Sequence, residues 1–124
     1  MGKSERDKGG RGERWLRDRL RDIGFRAWRG RQYRGGPDSP DTVTPDLPIQ
    51  WEMKWGYDRM SIKAVLAKLA GETAEGDMGI GVWKPIRKRA MMFMYLDDFL
   101  TILGEAFSEH SRIQDDQADP ESQG

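Results

Sequence analysis

The chain has no cysteine, and its 124 residues include a single histidine, His110. Disulfides and thiolate chemistry are therefore excluded, and a zinc site of cysteines and histidines cannot be assembled around one imidazole. Any bound metal must use oxygen ligands. A run of about 18 apolar residues, the length that crosses a bilayer, is missing as well. The N-terminus is polar and glycine-rich, where an export signal would carry a charged start and an apolar stretch. The expectation is a soluble, cytoplasmic protein with no membrane partner. Its length suits one domain with one core.

Net charge is the other absence, since 21 lysines and arginines meet 21 aspartates and glutamates. The balance hides an asymmetry along the chain. Residues 1–36 hold 12 basic and 5 acidic side chains, whereas residues 97–124 hold 1 basic and 8 acidic. In the first block arginine outnumbers lysine by 10 to 2, and the planar guanidinium matches phosphate oxygens better than a compact ammonium does. A polyanionic partner is the expectation, in competition with the plainer reading of a solvated, salt-bridged helix face.

Hydrophobic spacing supplies the organisation. Residues 1–9 show no apolar periodicity and read as a flexible lead-in. The domain is expected over 10–107, ahead of an acidic tail, 108–124, with too little apolar surface to offset the entropy of ordering. Leu16, Leu20 and Ile23 recur at helical spacing from a start near Gly10, and Gly24 ends that helix. Glu13, three residues before Leu16, falls on the same inward stripe. "FRAWRG" predicts a short strand and "RGRQYRGG" a basic loop. "DTV" (41–43) and "IQWEMKW" (49–55) are strand-like and are parted by "TPDLP", which favours a turn. Ile62, Val65, Leu66 and Leu69 predict a helix from 61 to about 73, capped by Ser61. "GIGVWK" and "RAMMFMYL" are two further strands joined by "PIRK", and "DDFLTIL" is a short helix capped by Asp97. The predicted order is α-β-β-β-α-β-β-α, an α/β chain without internal repeats.

The acids in "GGPDSPDTVTPDLPIQWEMKW" are not equivalent. Folding the two strand-like segments into an antiparallel hairpin centred between Asp46 and Leu47 sets Asp41 opposite Glu52, and directly paired residues share a face. Lys54 points the same way by the period of two. Trp51, Met53 and Trp55 then face the core from the other side. Asp46 falls at the turn apex and Asp38 in the preceding loop, where such residues serve local purposes. Two carboxylates sharing one face repel unless a cation neutralises them. Mg²⁺ suits the position, since it takes one or two carboxylates, keeps several waters and accepts phosphate oxygens. Lys54 either orients the attacking water or stabilises charge developing on phosphorus. The plainer readings are a surface ion pair for Glu52 and Lys54, and an Arg17 partner or a favourable helix-terminus charge for Glu13.

Glu13 in the first helix, Asp41 in "SPDTV" and Glu52 and Lys54 in "WEMK" resemble the pattern of the PD-(D/E)XK nuclease superfamily. Gly12-Glu13-Arg14, the Gly24-Phe25 turn, the "RGRQYRGGPDSPD" loop and "YLDDFL" are similar to one branch of it, the phage and archaeal-type Holliday junction resolvases. The resemblance covers roughly residues 8–103. It implies a restriction-endonuclease-like αβββαβ core, a mixed central sheet flanked by helices, and a Mg²⁺-dependent endonuclease, with Mn²⁺ as a substitute metal. Asp41, Glu52 and the Met53 carbonyl are implied as metal ligands, Lys54 as the catalytic lysine and Glu13 as a further acid. A homodimer cutting a four-way DNA junction is implied, acting in the host cytoplasm if the protein is phage-encoded. Two departures stand out. Many superfamily members carry a glutamine on the second helix where this chain has Lys68, and Pro45-Asp46 also spells a literal "PD".

For DNA contact the candidates are Arg11, Arg14, Arg29, Arg31, Tyr33 and Arg34, with a second cluster at Lys84, Arg87 and Lys88. Phosphate contacts of this kind position a substrate without reading its sequence. The methionine-rich run "AMMFMYL" is core or part of a dimer surface. Two other functions compete: a nuclease of the same fold with a restriction-type, fork or flap substrate, and a non-catalytic DNA-binding module.

Overall fold

The computed structural model describes residues 3–30 and 42–108, with side chains from residue 9 onward. The order of elements is helix α1 (Lys3–Asp22), strands β1 (Trp28–Arg29), β2 (Thr42–Val43) and β3 (Ile49–Trp55), helix α2 (Ile62–Glu72), strands β4 (Met78–Lys84) and β5 (Met91–Phe93), and helix α3 (Leu96–Ala106). Among the described residues this is a mixed α/β chain, and the helices and strands named come in the order that hydrophobic spacing predicts. Two compact units divide it, Met1–Met94 and Tyr95–Gly124.

In the first unit, β3 and β4 run parallel in a three-stranded mixed sheet, ordered β3-β4-β5, with α2 as the crossover. Parallel strands need such a connection. The ladder pairs Glu52 with Gly81 and Lys54 with Trp83. Met78 N–H donates to Pro48 O at 2.8 Å and Gly56 N–H to Lys84 O at 2.7 Å, one at each end of it. Helix α2 starts on Ser61, whose Oγ accepts from Ala64 N–H at 3.1 Å, satisfying one of the orphan donors of its first turn.

The sheet has two unlike faces. On one, Leu16 and Leu20 from α1 and Ala27 pack with Trp51, Met53, Ile80 and Val82 as the core, each large side chain contributing roughly 2 kcal/mol of burial. Helix α1 approaches so closely that a Cβ on Gly12 would lie 2.7 Å from Trp55 Cβ and 2.9 Å from Met53 Cγ. On the other face α2 buries Val65 and Leu69. A Cβ on Gly79 would stand only 3.0 Å from Leu69 Cβ. The ring of Phe93, paired with Gly81 across the β4–β5 ladder, fills the space above that glycine.

Three expectations change. Helix α1 begins at Lys3, not near Gly10. The lysines, arginine and glutamate of residues 3–8 are good helix formers, and extending an existing helix is cheap compared with starting one. The expected β2–β3 hairpin is replaced by a separate two-stranded sheet in which β2 pairs with β1, Trp28 opposite Val43 and Arg29 opposite Thr42. The predicted register sets Pro45 against Pro48, and neither has an N–H to donate to a ladder. The chain there closes a local turn through Leu47 N–H to Thr44 O at 3.1 Å. The second unit contains α3, whose N-cap is Tyr95 without a side-chain bond, while Asp97 and Asp98 lie in its first turn. Asp97 therefore acts through its charge at the helix N-terminus and not as a cap.

Candidate active site

Strand alternation separates the residues of β3 by function. Trp51 and Met53 are buried toward α1, so Glu52 and Lys54 project from the opposite face, the one α2 covers. Among the described residues the buried charged side chains are Glu13 and Glu52, two of the acids that the sequence singles out. A buried carboxylate needs a cation or several donors, because transfer out of water is otherwise prohibitive.

Glu52 has two cations. Lys68 Nζ from α2 lies 3.0 Å from Glu52 Oε1, and Lys54 Nζ lies 3.3 Å from the same oxygen. Lys54 also sits 5.6 Å from the centre of the Tyr57 ring, in cation–π range. The register sets Gly81 beside Glu52 and Phe93 beside Gly81. A bulky aromatic thus occupies the strand row of the carboxylate and helps keep water from it.

Glu13 is held elsewhere. Its Oε2 accepts from Arg29 Nε at 2.9 Å, in a pair whose side chains are 10% and 20% exposed. The expected alternative, Arg17, pairs with Asp18 at 2.9 Å. Arg29, expected at DNA, thus bridges β1 to α1. Arg14 and Arg29 place their guanidinium groups beside Gly10, where a side chain would meet both. Arg11 and Arg14 are exposed on α1.

Asp46 lies at the turn apex, where Arg26 grips it with Nε and Nη2 at 2.9 and 2.7 Å. The hydrogen bonds from Arg26 hold its carboxyl below the usual aspartate range and raise the arginine in return. Asp46 is thus engaged by Arg26 across the turn. Asp41, Arg31, Tyr33 and Arg34 lie outside the described residues. Arg87 and Lys88 are exposed at the β4–β5 turn, with Arg87 in the left-handed region at φ 60°. Lys84 is less available: its Nζ donates to Pro85 O at 3.0 Å and lies 5.7 Å from the Trp55 ring centre.

Of the oxygen ligands that the resemblance implies, the Glu52 carboxylate and the Met53 carbonyl belong to adjoining residues of β3. Among the described residues no group of three or more Asp, Glu or His side chains is gathered closely enough to hold a cation. A single carboxylate is a partial set, of the kind Mg²⁺ can use because it retains several waters. The residue least legible beforehand is Lys68. Its place beside Leu69 on the buried stripe of α2 is visible in the sequence, but that it meets Glu52 depends on how the helix crosses the sheet. Comparisons of the chain with family models, with curated proteins and with solved structures found no significant match.

Proposed function

We propose that the chain is a metal-dependent, structure-selective DNA endonuclease of restriction-endonuclease-like fold, hydrolysing phosphodiesters at four-way junctions. The observation that carries this reading is the buried Glu52, flanked on its own strand by Lys54 and approached from the crossover helix by Lys68. Desolvating a carboxylate costs stability even among ammonium groups, and functional sites are where such a cost is characteristically retained.

In this reading Glu52 and the Met53 carbonyl hold Mg²⁺ or Mn²⁺ together with Asp41. The bound metal supplies Lewis-acid activation of water and neutralisation of phosphate charge. Lys54 stands beside the carboxylate on the same face, placed to orient the attacking water and to stabilise charge on the phosphate oxygens. Arg11, Arg14, Arg87 and Lys88 add phosphate contacts that position the duplex arms without reading bases. A homodimer then cuts two opposed strands.

The test is cleavage of a synthetic four-way junction with and without Mg²⁺, beside flap and linear duplex controls. Wild-type protein is expected to cut the junction only with metal. Glu52→Gln is expected to keep binding it and lose cleavage by at least about a hundredfold. Full cleavage by Glu52→Gln overturns the assignment. Preference for flap or duplex moves the substrate within the same chemistry. A second reading, a DNA-binding module without catalysis, draws on the neutralisation of Glu52 by two lysines and predicts no metal-dependent cutting of any DNA.

A further inference from the structure

Helix α2 brings to the charged face of β3 a residue that the mechanism above leaves unused. Lys68 Nζ approaches Glu52 Oε1 to 3.0 Å, closer than Lys54 at 3.3 Å. The placement is built, because Val65 and Leu69 anchor the helix in the interior and Lys68 adjoins Leu69. Its side chain is 52% exposed, whereas the Glu52 side chain that it touches is 8% exposed. The carboxylate is fixed and dry, and the lysine reaches it from solvent.

We infer that Lys68 is a displaceable counter-ion: it holds Glu52 in the metal-free protein, competes with the divalent cation for that carboxylate, and turns to a substrate phosphate once displaced. An ammonium held on Glu52 Oε1 opposes a divalent cation at that carboxylate and attracts a phosphate. Both carboxylate oxygens are bonded to one carbon, so an ammonium on Oε1 also repels a cation on the other oxygen. Lys54 is the more enclosed of the two lysines, at 25% exposure and 5.6 Å from the centre of the Tyr57 ring. Lys68, on the solvent side, is the one that moves. Linkage makes the competition reciprocal. Metal and phosphate therefore bind in mutual support, the metal releasing the lysine that the phosphate uses. The inference rests on the nuclease reading and specifies how its metal and substrate are coupled.

The test is Mn²⁺ affinity of the DNA-free protein, by calorimetry and electron paramagnetic resonance, for wild type, Lys68→Met, Lys68→Arg and Glu52→Gln. Circular dichroism melts verify that each variant is folded. Lys68→Met is expected to bind Mn²⁺ about five- to tenfold more tightly than wild type, Lys68→Arg to stay near wild type, and Glu52→Gln to lose the site. In a second arm, Ca²⁺ is expected to strengthen junction binding by wild type more than by Lys68→Met. Equal or weaker Mn²⁺ binding by folded Lys68→Met overturns the inference, whatever the cleavage assay gives. Equal Ca²⁺ enhancement overturns its phosphate half. Absence of an Mn²⁺ site in wild type overturns both this inference and the metal-dependent reading. The expected Mn²⁺ pattern without cleavage of junction, flap or duplex overturns the nuclease reading alone.

Discussion

Glu13 and Glu52 are both buried, yet their cations differ in kind. Arg29 grips Glu13 from a neighbouring strand with both side chains largely dry, a pair whose removal on one side leaves an uncompensated charge. Arg29→Met is expected to destabilise the protein by about 3 kcal/mol in chemical denaturation, and adding Glu13→Gln to restore much of it. Little loss in Arg29→Met would mean that Glu13 is solvated or otherwise satisfied. Asp46 supplies the contrasting exposed case. Its carboxyl is held low by the hydrogen bonds from Arg26, and a depressed acid lends stability above its unfolded pKa and loses it as pH falls through the folded value. Wild type is therefore expected to exceed Arg26→Ala in stability near neutral pH, with the difference closing in strong acid. Carboxyl NMR titration should show Asp46 returning to the ordinary range in that variant. The burial of Glu13 was legible in the sequence because it falls on the stripe of Leu16 and Leu20, whereas Glu52, out of phase with Trp51 and Met53, was expected on the face away from the core and is buried all the same. The Lys68 contact was not legible, since it joins residues 16 apart through the packing of a helix on a sheet.

At the scale of elements, periodic segments were readable and pairings were not. Strand β3 occupies the predicted 49–55, and α2 lies within a residue of its predicted ends, because alternation and helical spacing are local properties. Register is not local. The expected β2–β3 hairpin gave way to β1–β2 pairing, since Pro45 and Pro48 would deny a β2–β3 ladder its donors. The β3-α2-β4 unit sets Lys68 against Glu52. Close approach of α1 to β3 depends on Gly12. An alanine in a helix interior normally gains about 1 kcal/mol over glycine, but here its Cβ would lie 2.7 Å from Trp55 Cβ, an atom fixed to the backbone. Gly12→Ala is expected to lower stability by about 1–2 kcal/mol in urea denaturation, reversing the usual sign. A stabilised Gly12→Ala would show that α1 can draw back from the sheet without cost.

Over the whole molecule, zero net charge conceals a gradient that bears on any polyanionic substrate. Residues 109–124 hold five acidic side chains and one basic, so removing them leaves a chain of net charge +4. Opposite charge steers association and like charge repels, both over distances set by ionic strength. A chain ending at residue 108 is therefore expected to bind a four-way junction more tightly than the full chain at low salt, by roughly tenfold. The advantage should shrink toward unity as salt approaches 1 M, where the Debye length falls to about 3 Å. Fluorescence anisotropy across a salt series checks this, and the slope of log affinity against log salt reports how many phosphates each form neutralises. If the acidic segment acts only through long-range repulsion, the two slopes stay similar and the lines converge gradually. If it occupies the basic groups that DNA needs, the full chain shows a shallower slope, because DNA then displaces carboxylates that salt would also have weakened. Equal affinities at low salt would show that the segment neither repels nor competes, leaving the basic side chains of α1 and the β4–β5 turn to act as though the acidic end were absent.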